Sequence, residues 1–242
     1  MDLIEVLAHQ GPPRNSLVAA MPSLFGELRL DLLGGEEAFA AITAGQLVTD
    51  AEYAALMASA EDRAAAGDGP GYAAILLDVA ARDPFTLEPY ARLSRWYEES
   101  GDLGEAVYFA RQVIALRPAY QSRFRLANLL GRSGQLDQAR VVFAHLFESR
   151  HQCDQPGVRY DATADYLQTL LQLQDWPALR DLSARAWEDY PGDVGPGFHL
   201  AVAAHSLHEP AAASAALDRI EPFLPADHIL APQVARLRAE IR

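Results

Sequence analysis

The chain has 242 residues, half of them hydrophobic, and a formal net charge of −13, which gives enough apolar material for one elongated domain or two small ones. Such acidity works against non-specific nucleic-acid binding, because a polyanion is repelled at long range. All 20 basic residues are arginine, the bias of a GC-rich bacterial genome, and the absence of lysine excludes a Schiff-base lysine, a lysine general base and the phosphate-loop pattern G-x-x-x-x-G-K-[ST].

The opening residues Met1-Asp2-Leu3-Ile4-Glu5 carry acid where a secretory signal would carry positive charge. No apolar run approaches the roughly 20 residues needed to cross a bilayer, so membrane insertion is not expected. The single Cys153 has no internal disulfide partner, in keeping with a reducing compartment and a cytoplasmic location. Residues 1–52 suggest short helices near Asp2–His9, Ser16–Leu33 and Glu36–Thr43, separated by Gly11-Pro12-Pro13 and Gly34-Gly35. Two roles fit this segment. It is an irregular helical cap, or it is an arm in which Met21-Pro22-Ser23-Leu24-Phe25 folds across a groove as a built-in competitor.

From Tyr53 onward the chain repeats itself. Gly67-Asp68-Gly69-Pro70-Gly71-Tyr72, Gly101-Asp102-Leu103-Gly104-Glu105-Ala106 and Gly134-Gln135-Leu136-Asp137-Gln138-Ala139 align at steps of 34 and 33 residues. Seventeen residues after the first two glycines stand Pro84 and Pro118, with His151 in the third copy. Gln174-Asp175-Trp176 and His208-Glu209-Pro210 continue the series, followed at the same offset by Pro191 and Pro225. The step from the third to the fourth copy is 40, which predicts an inserted loop of about six residues near Cys153–Gly157 beyond the usual repeat length.

Every unit suggests two helices. Tyr90, Leu93, Ser94 and Tyr97 recur at i, i+3, i+4 and i+7, one buried stripe of a first helix. Gly101 supplies a left-handed turn. Leu103, Ala106, Ala110 and Val113 mark a second stripe, ended by Pro118. In the next unit Leu126, Ala127, Leu130, Leu136, Ala139, Phe143 and Leu146 repeat this arrangement. No stretch alternates with period two, so no sheet is expected. A lone helix pair cannot bury its apolar face, whereas stacked pairs share a continuous core.

These residues resemble the tetratricopeptide repeat family, whose 34-residue unit carries an aromatic, Leu-small, aromatic series followed by Gly, Ala, aromatic, small and Pro. Leu87 to Tyr120 matches best, through Tyr90, Leu93-Ser94, Tyr97, Gly101, Ala106 and Pro118. It departs at Ala110, where the family usually has an aromatic, while Phe143 restores that feature one unit later. The resemblance covers about Tyr53 to Pro225. It implies an all-α, right-handed α-α superhelix of about five helix-turn-helix repeats, spanning 53–86, 87–119, 120–153, 160–193 and 194–225. Residues 226–242 then form a C-terminal capping helix, with Pro232 near its start and Val234, Leu237 and Ile241 on one stripe.

The resemblance further implies that first helices line a concave groove. Opposite the buried stripes this gives Glu88, Arg92, Arg95 and Glu99, then Gln121, Phe124, Arg125, Asn128 and Arg132. The fourth and fifth units give Asp161, Asp165, Gln168, Gln172, Phe198, His199, Val202 and His205. The candidate partner-binding residues are Arg92, Arg95, Phe124, Arg125, Asn128 and Arg132. Their guanidiniums suit a carboxylate, a phosphate or an acidic peptide segment. Asn128 suits a peptide backbone, and Phe124 and Phe198 suit apolar anchors. The competing reading pairs the same arginines with Glu88, Glu98 and Glu99 on a solvated face, at about 0–1 kcal/mol each. The family's lysine-and-asparagine carboxylate clamp is matched only by Asn128 and Arg125, so chaperone tails are not expected partners.

Catalysis has no visible seat. His205 and His208 share a helix face, but His199 lies elsewhere on the turn, and a metal site needs three or four converging ligands. Glu98-Glu99 lacks the burial that would raise a carboxyl pKa for acid–base work. Gly67-Asp68-Gly69-Pro70-Gly71 follows no strand and is a connector. No metal and no cofactor is expected. The expectation is a non-catalytic scaffold or adaptor for a protein or peptide partner. The alternatives are the substrate-targeting module of a glycosyltransferase or sulfotransferase system, and a self-assembling homo-oligomeric scaffold.

Overall fold

A computed structural model describes residues 48–241, which are all-α with no strand among them. The helices expected before residue 48, the Met21–Phe25 arm and Arg242 lie outside the described residues. Eleven α-helices follow one another among the described residues. They are α1 (Asp50–Ala65), α2 (Gly69–Arg82), α3 (Leu87–Ser100), α4 (Leu103–Leu116), α5 (Tyr120–Arg132), α6 (Leu136–Glu148), α7 (Pro156–Leu173), α8 (Trp176–Asp189), α9 (Val194–Ser206), α10 (Pro210–Ile220) and α11 (Ala231–Ile241). Two compact units result, one ending at Ser133 and the other beginning at Gly134.

Local chemistry accounts for the helix ends. The turns after the first helices place Gly67, Gly101 and Gly134 at φ of 75°, 87° and 78°, where a side chain would cost energy and glycine does not. Gln174 and His208 occupy the same place in the last two repeats at φ of 55° and 61°, so the turn keeps its left-handed geometry without glycine. Three of the second helices then start on a capping carboxylate. Asp68, Asp102 and Asp175 accept the backbone N–H of Gly71, Glu105 and Ala178, satisfying one of the orphaned donors of a helix start. Pro84, Pro118 and Pro191 follow one residue after the caps of α2, α4 and α8, since proline disfavours helical backbone in the residue before it.

The step of 40 residues is not a plain inserted loop. With His151 in place of proline, the chain leaves α6 through a 3-10 turn at Arg150–Gln152. Pro156 then opens α7, which has 18 residues where α3 has 14. Proline at a first helical position has its φ preset and lacks only a donor that would be unsatisfied anyway, so Pro156-Gly157-Val158-Arg159 adds a helical turn in front of the repeat. Only Cys153-Asp154-Gln155 is irregular, with the Cys153 side chain buried and free.

In the first unit the core gathers Met57, Ala60, Ala73, Leu76, Ala80, Leu93 and Phe109, bordered by Tyr53, Tyr72, Tyr90, Trp96 and Tyr97. Phe109 stacks on Tyr97 at 5.5 Å with the rings 9° from parallel. The aromatic missing at Ala110 is therefore supplied one residue earlier. That is possible because α4 buries a wide face, with Ala106, Val107, Phe109 and Ala110 all inside. Ser94, also buried, donates its hydroxyl to the Ala106 carbonyl at 3.0 Å, which lets α3 and α4 approach across small residues.

The second unit has two core clusters. One joins Phe147, Leu167, Leu170, Leu179, Leu182, Ala186 and Ala203. The other joins Trp187, Val194, Ala201, Ala216, Leu217 and Ile220 with Val234 and Leu237 of α11, and Ile241 packs at its border.

Candidate functional site

Successive first helices of the first unit are tied by ions. Arg92 on α3 reaches back to Glu61 on α1 at 3.1 Å and along its own helix to Glu88. Burial works against the charged guanidinium, yet the bonds to Glu88 and Glu61 outweigh it and hold the Arg92 pKa above its ordinary value. Glu98 on α3 accepts from both Arg125 and Arg132 on α5. Three of the four arginines expected to face a partner are thus engaged by the chain's own carboxylates. Glu99, named as a partner in the competing reading, makes no ion pair among the described residues; Glu61, on the preceding first helix, does. Sequence spacing missed Glu61 because a residue 31 positions away becomes a neighbour only once the helices stack.

Arg95 differs. It is exposed and has no acceptor among the described residues. With Arg92, Trp96 and Glu99 it lines an open cleft of about 320 Å³, closed on the other side by Ala64, Gly67, Gly69 and Tyr72. The turn between α1 and α2 makes this possible. A Cβ on Gly69 would stand 3.1 Å from the Trp96 indole nitrogen, so the indole lies directly on backbone. The cleft therefore joins an aromatic wall, two guanidiniums, the Glu99 carboxylate and the start of α2, whose end charge is answered by the Asp68 cap. Phe124 and Asn128 of α5 are half-buried and line no part of it.

A second, smaller recess lies wholly within the second unit. It has a volume of about 50 Å³ and is lined by Tyr160, Thr163, Ala164 and Leu167 of α7 and by Tyr190, Asp193, Gly195, Pro196 and His199. Asp193 caps α9, with Oδ1 accepting the Gly195 N–H at 2.9 Å, while its buried Oδ2 meets no donor in hydrogen-bond geometry. The Tyr160 phenol is pushed up to about 12, first by side-chain hydrogen bonding to the Asp193 carboxylate, off the ideal geometry, and then by burial and neighbouring charge. His199, expected to line an open groove, is mostly enclosed, and its Nδ1 lies 2.8 Å from the Gly195 carbonyl. Burial lowers its pKa. Phe198 likewise packs at the border of the Trp187 cluster rather than standing free.

No group of three or more His, Cys, Asp and Glu side chains suited to a metal ion occurs among the described residues. None of their helices is long and apolar enough to cross a membrane.

Stacked helical hairpins with left-handed turns, small residues between paired helices and a side-chain-lined first-helix face define a helical-repeat protein. The fold is that of the tetratricopeptide repeat, as solved structures show. YrrB, described as a tetratricopeptide repeat protein with an unusual peptide-binding site, superposes with a TM-score of 0.57 at 15% identity, covering 75% of this chain and 90% of that one. A tetratricopeptide repeat protein from Parabacteroides merdae gives 0.56 at 14% identity, over 78% of this chain and 72% of the other. MamA gives 0.55 at 13% identity, over 70% and 90%. No protein-family model matches the sequence, and no curated protein matches it.

Proposed function

We propose that the chain is a non-catalytic interaction scaffold that holds a peptide segment bearing a carboxylate, seated in the cleft at Arg95. The observation that carries this reading is an exposed guanidinium without an acceptor among the described residues, beside an indole and a phenol, in a chain whose other groove arginines already have carboxylate partners. Charge-assisted bonds from arginine are directional and strong, and aromatic side chains give contact area at low entropic cost. The similarity of fold to YrrB, whose peptide-binding site is part of its description, supports the same class of ligand. A cytoplasmic setting is supported by the free, buried Cys153.

A peptide array tests the reading. The wild-type chain is expected to select peptides with Asp or Glu beside an apolar residue, and Arg95→Glu to lose them by about 10- to 100-fold, the worth of one hydrogen bond to a charged group. Arg125→Glu, whose guanidinium is already held by Glu98, should leave selection at the cleft largely intact. An array without acidic enrichment, or equal selection by Arg95→Glu, refutes the proposal.

A further inference from the structure

The recess of the second unit faces the opposite kind of ligand. Its Tyr160 and Tyr190 rings stand 5.3 Å apart and 89° from parallel, so that a face and an edge bound one corner. Tyr160 is 42% exposed and forms the mouth. Inside lie the buried Asp193 Oδ2, which no donor meets in good hydrogen-bond geometry although the Tyr160 phenol stands close to the carboxylate, and Thr163, whose hydroxyl donates to the Arg159 carbonyl and keeps its own lone pairs free to accept.

We propose that this recess binds the ammonium head of a lysine side chain from a partner protein, with Asp193 as its counter-ion and Tyr160 and Tyr190 as its walls. Charge, size and shape each lead there. A buried carboxylate oxygen without a well-aligned donor is costly, and a cation satisfies it better than a misaligned phenol does. Aromatic faces attract cations through the ring quadrupole, more so where water is excluded. Asp193 and Asp161 both act on the Tyr160 phenol as negative charges. His199 adds no opposing charge at neutral pH, because burial disfavours its protonated form. The positive end of α9 is answered separately, since Asp193 Oδ1 takes the Gly195 N–H, and a ligand at Oδ2 meets only the Tyr160 phenol as a neighbour already bonded to the carboxylate.

Size selects the head group. A single water needs roughly 10–15 Å³ of such space, so about 50 Å³ admits a compact ammonium and a short length of stem. A guanidinium presents five donors in a rigid planar fork, more than Asp193 Oδ2 and Thr163 can answer. The four-carbon stem of lysine can lie along the Tyr160 ring on its way out, whereas a backbone α-amine sits on a branched carbon and cannot follow. The chain contains no lysine, so no side chain of its own can fill the recess with an ammonium. Its net charge of −13 draws basic partners by long-range attraction. This site lies in a different unit from the Arg95 cleft, and either can fail without the other.

The test is ring-resolved tyrosine NMR on the full chain, titrated with three tripeptide amides. These are acetyl-Gly-Lys-Gly, the same peptide with acetylated lysine, and Ala-Gly-Gly with a free amino terminus. The expected result is saturable shifts at Tyr160 and Tyr190 with the lysine peptide alone. Asp193→Asn removes the charge and keeps a good helix cap, and it should weaken binding at least tenfold at an unchanged melting temperature. Should that variant melt early, Tyr160→Ala at the exposed mouth gives the second reading and should weaken binding as well. The proposal is overturned by absent or unsaturable shifts, by an equal response to acetyl-lysine or to the free-amine peptide, or by unchanged affinity in the folded variants.

Discussion

The hairpins α3/α4 and α9/α10 hold equivalent places in the repeat and fill the space between their helices differently. In the first, rings occupy the interface, with Tyr97 on Phe109 at 5.5 Å and Tyr90 tilted against the same ring at 6.4 Å. In the last, the facing residues are small. Gly197, Ala201, Ala204, Ala213 and Ala216 are all buried, and a Cβ on Gly197 would stand 2.2 Å from Ile220 Cγ2 and 2.6 Å from Trp187 Cζ3. One repeat fold thus tolerates two packing solutions. A ring-filled interface gains apolar area per residue, while a small-residue interface gains backbone proximity and leaves no room for an added atom.

That contrast can be broken at Gly197. Gly197→Ala should destabilise the chain by about 1–3 kcal/mol through overpacking, read from urea denaturation. An unchanged midpoint would mean that α9 and α10 can separate freely. A smaller effect, of opposite sign, sharpens the contrast between the glycine turns and their substitutes. Gln174→Gly and His208→Gly should each stabilise by about 1 kcal/mol, because both residues stand in the left-handed region that disfavours a Cβ. A loss of stability in both would show that their side chains contribute more than the strain they carry. The smallest effect is at Gly131, near the end of α5, where nothing among the described residues lies within 4 Å of an added Cβ. Gly131→Ala should stabilise by about 0.5 kcal/mol from helix propensity alone. It is thereby the control that separates helix propensity from the crowding at Gly197.

Much of the fold was legible in the sequence because the repeat writes the same physics several times. Gly67, Gly101 and Gly134 mark left-handed turns, and Pro84, Pro118 and Pro191 mark helix ends, so period and hairpin follow from spacing. The turns at Gln174 and His208 were visible only by position, since nothing in their own chemistry asks for a positive φ. The six-residue excess was visible as a length but not as a helix, because Pro156 serves a helix start as readily as a loop. Phe109 falls off the single stripe that the spacing of Leu103, Ala106, Ala110 and Val113 marks, and α4 buries a wider face than one stripe.

The site was legible in residue type and not in pairing. Arg92, Arg125 and Arg132 could be picked out as groove residues, yet their engagement depends on Glu61 and Glu98 arriving from neighbouring helices, a matter of stacking rather than spacing. Arg95 is distinguished from them by the lack of a carboxylate partner among the described residues. The recess at Asp193 gave no signal at all. Its parts come from α7, from the end of α8 and from the start of α9, and Tyr160, Tyr190 and Asp193 form no motif along the chain.

The added turn of α7 bears on that recess. Without Pro156-Gly157-Val158-Arg159, Tyr160 would be the first residue of its helix, where backbone donors are orphaned and ends fray. Four residues at about 1.5 Å of rise set it one full turn inside instead, and its ring stands against Tyr190 from a backbone already fixed. The lengthened step between the third and fourth repeats thus acts as preorganisation, so that the freedom a ligand would otherwise have to quench is removed when the chain folds.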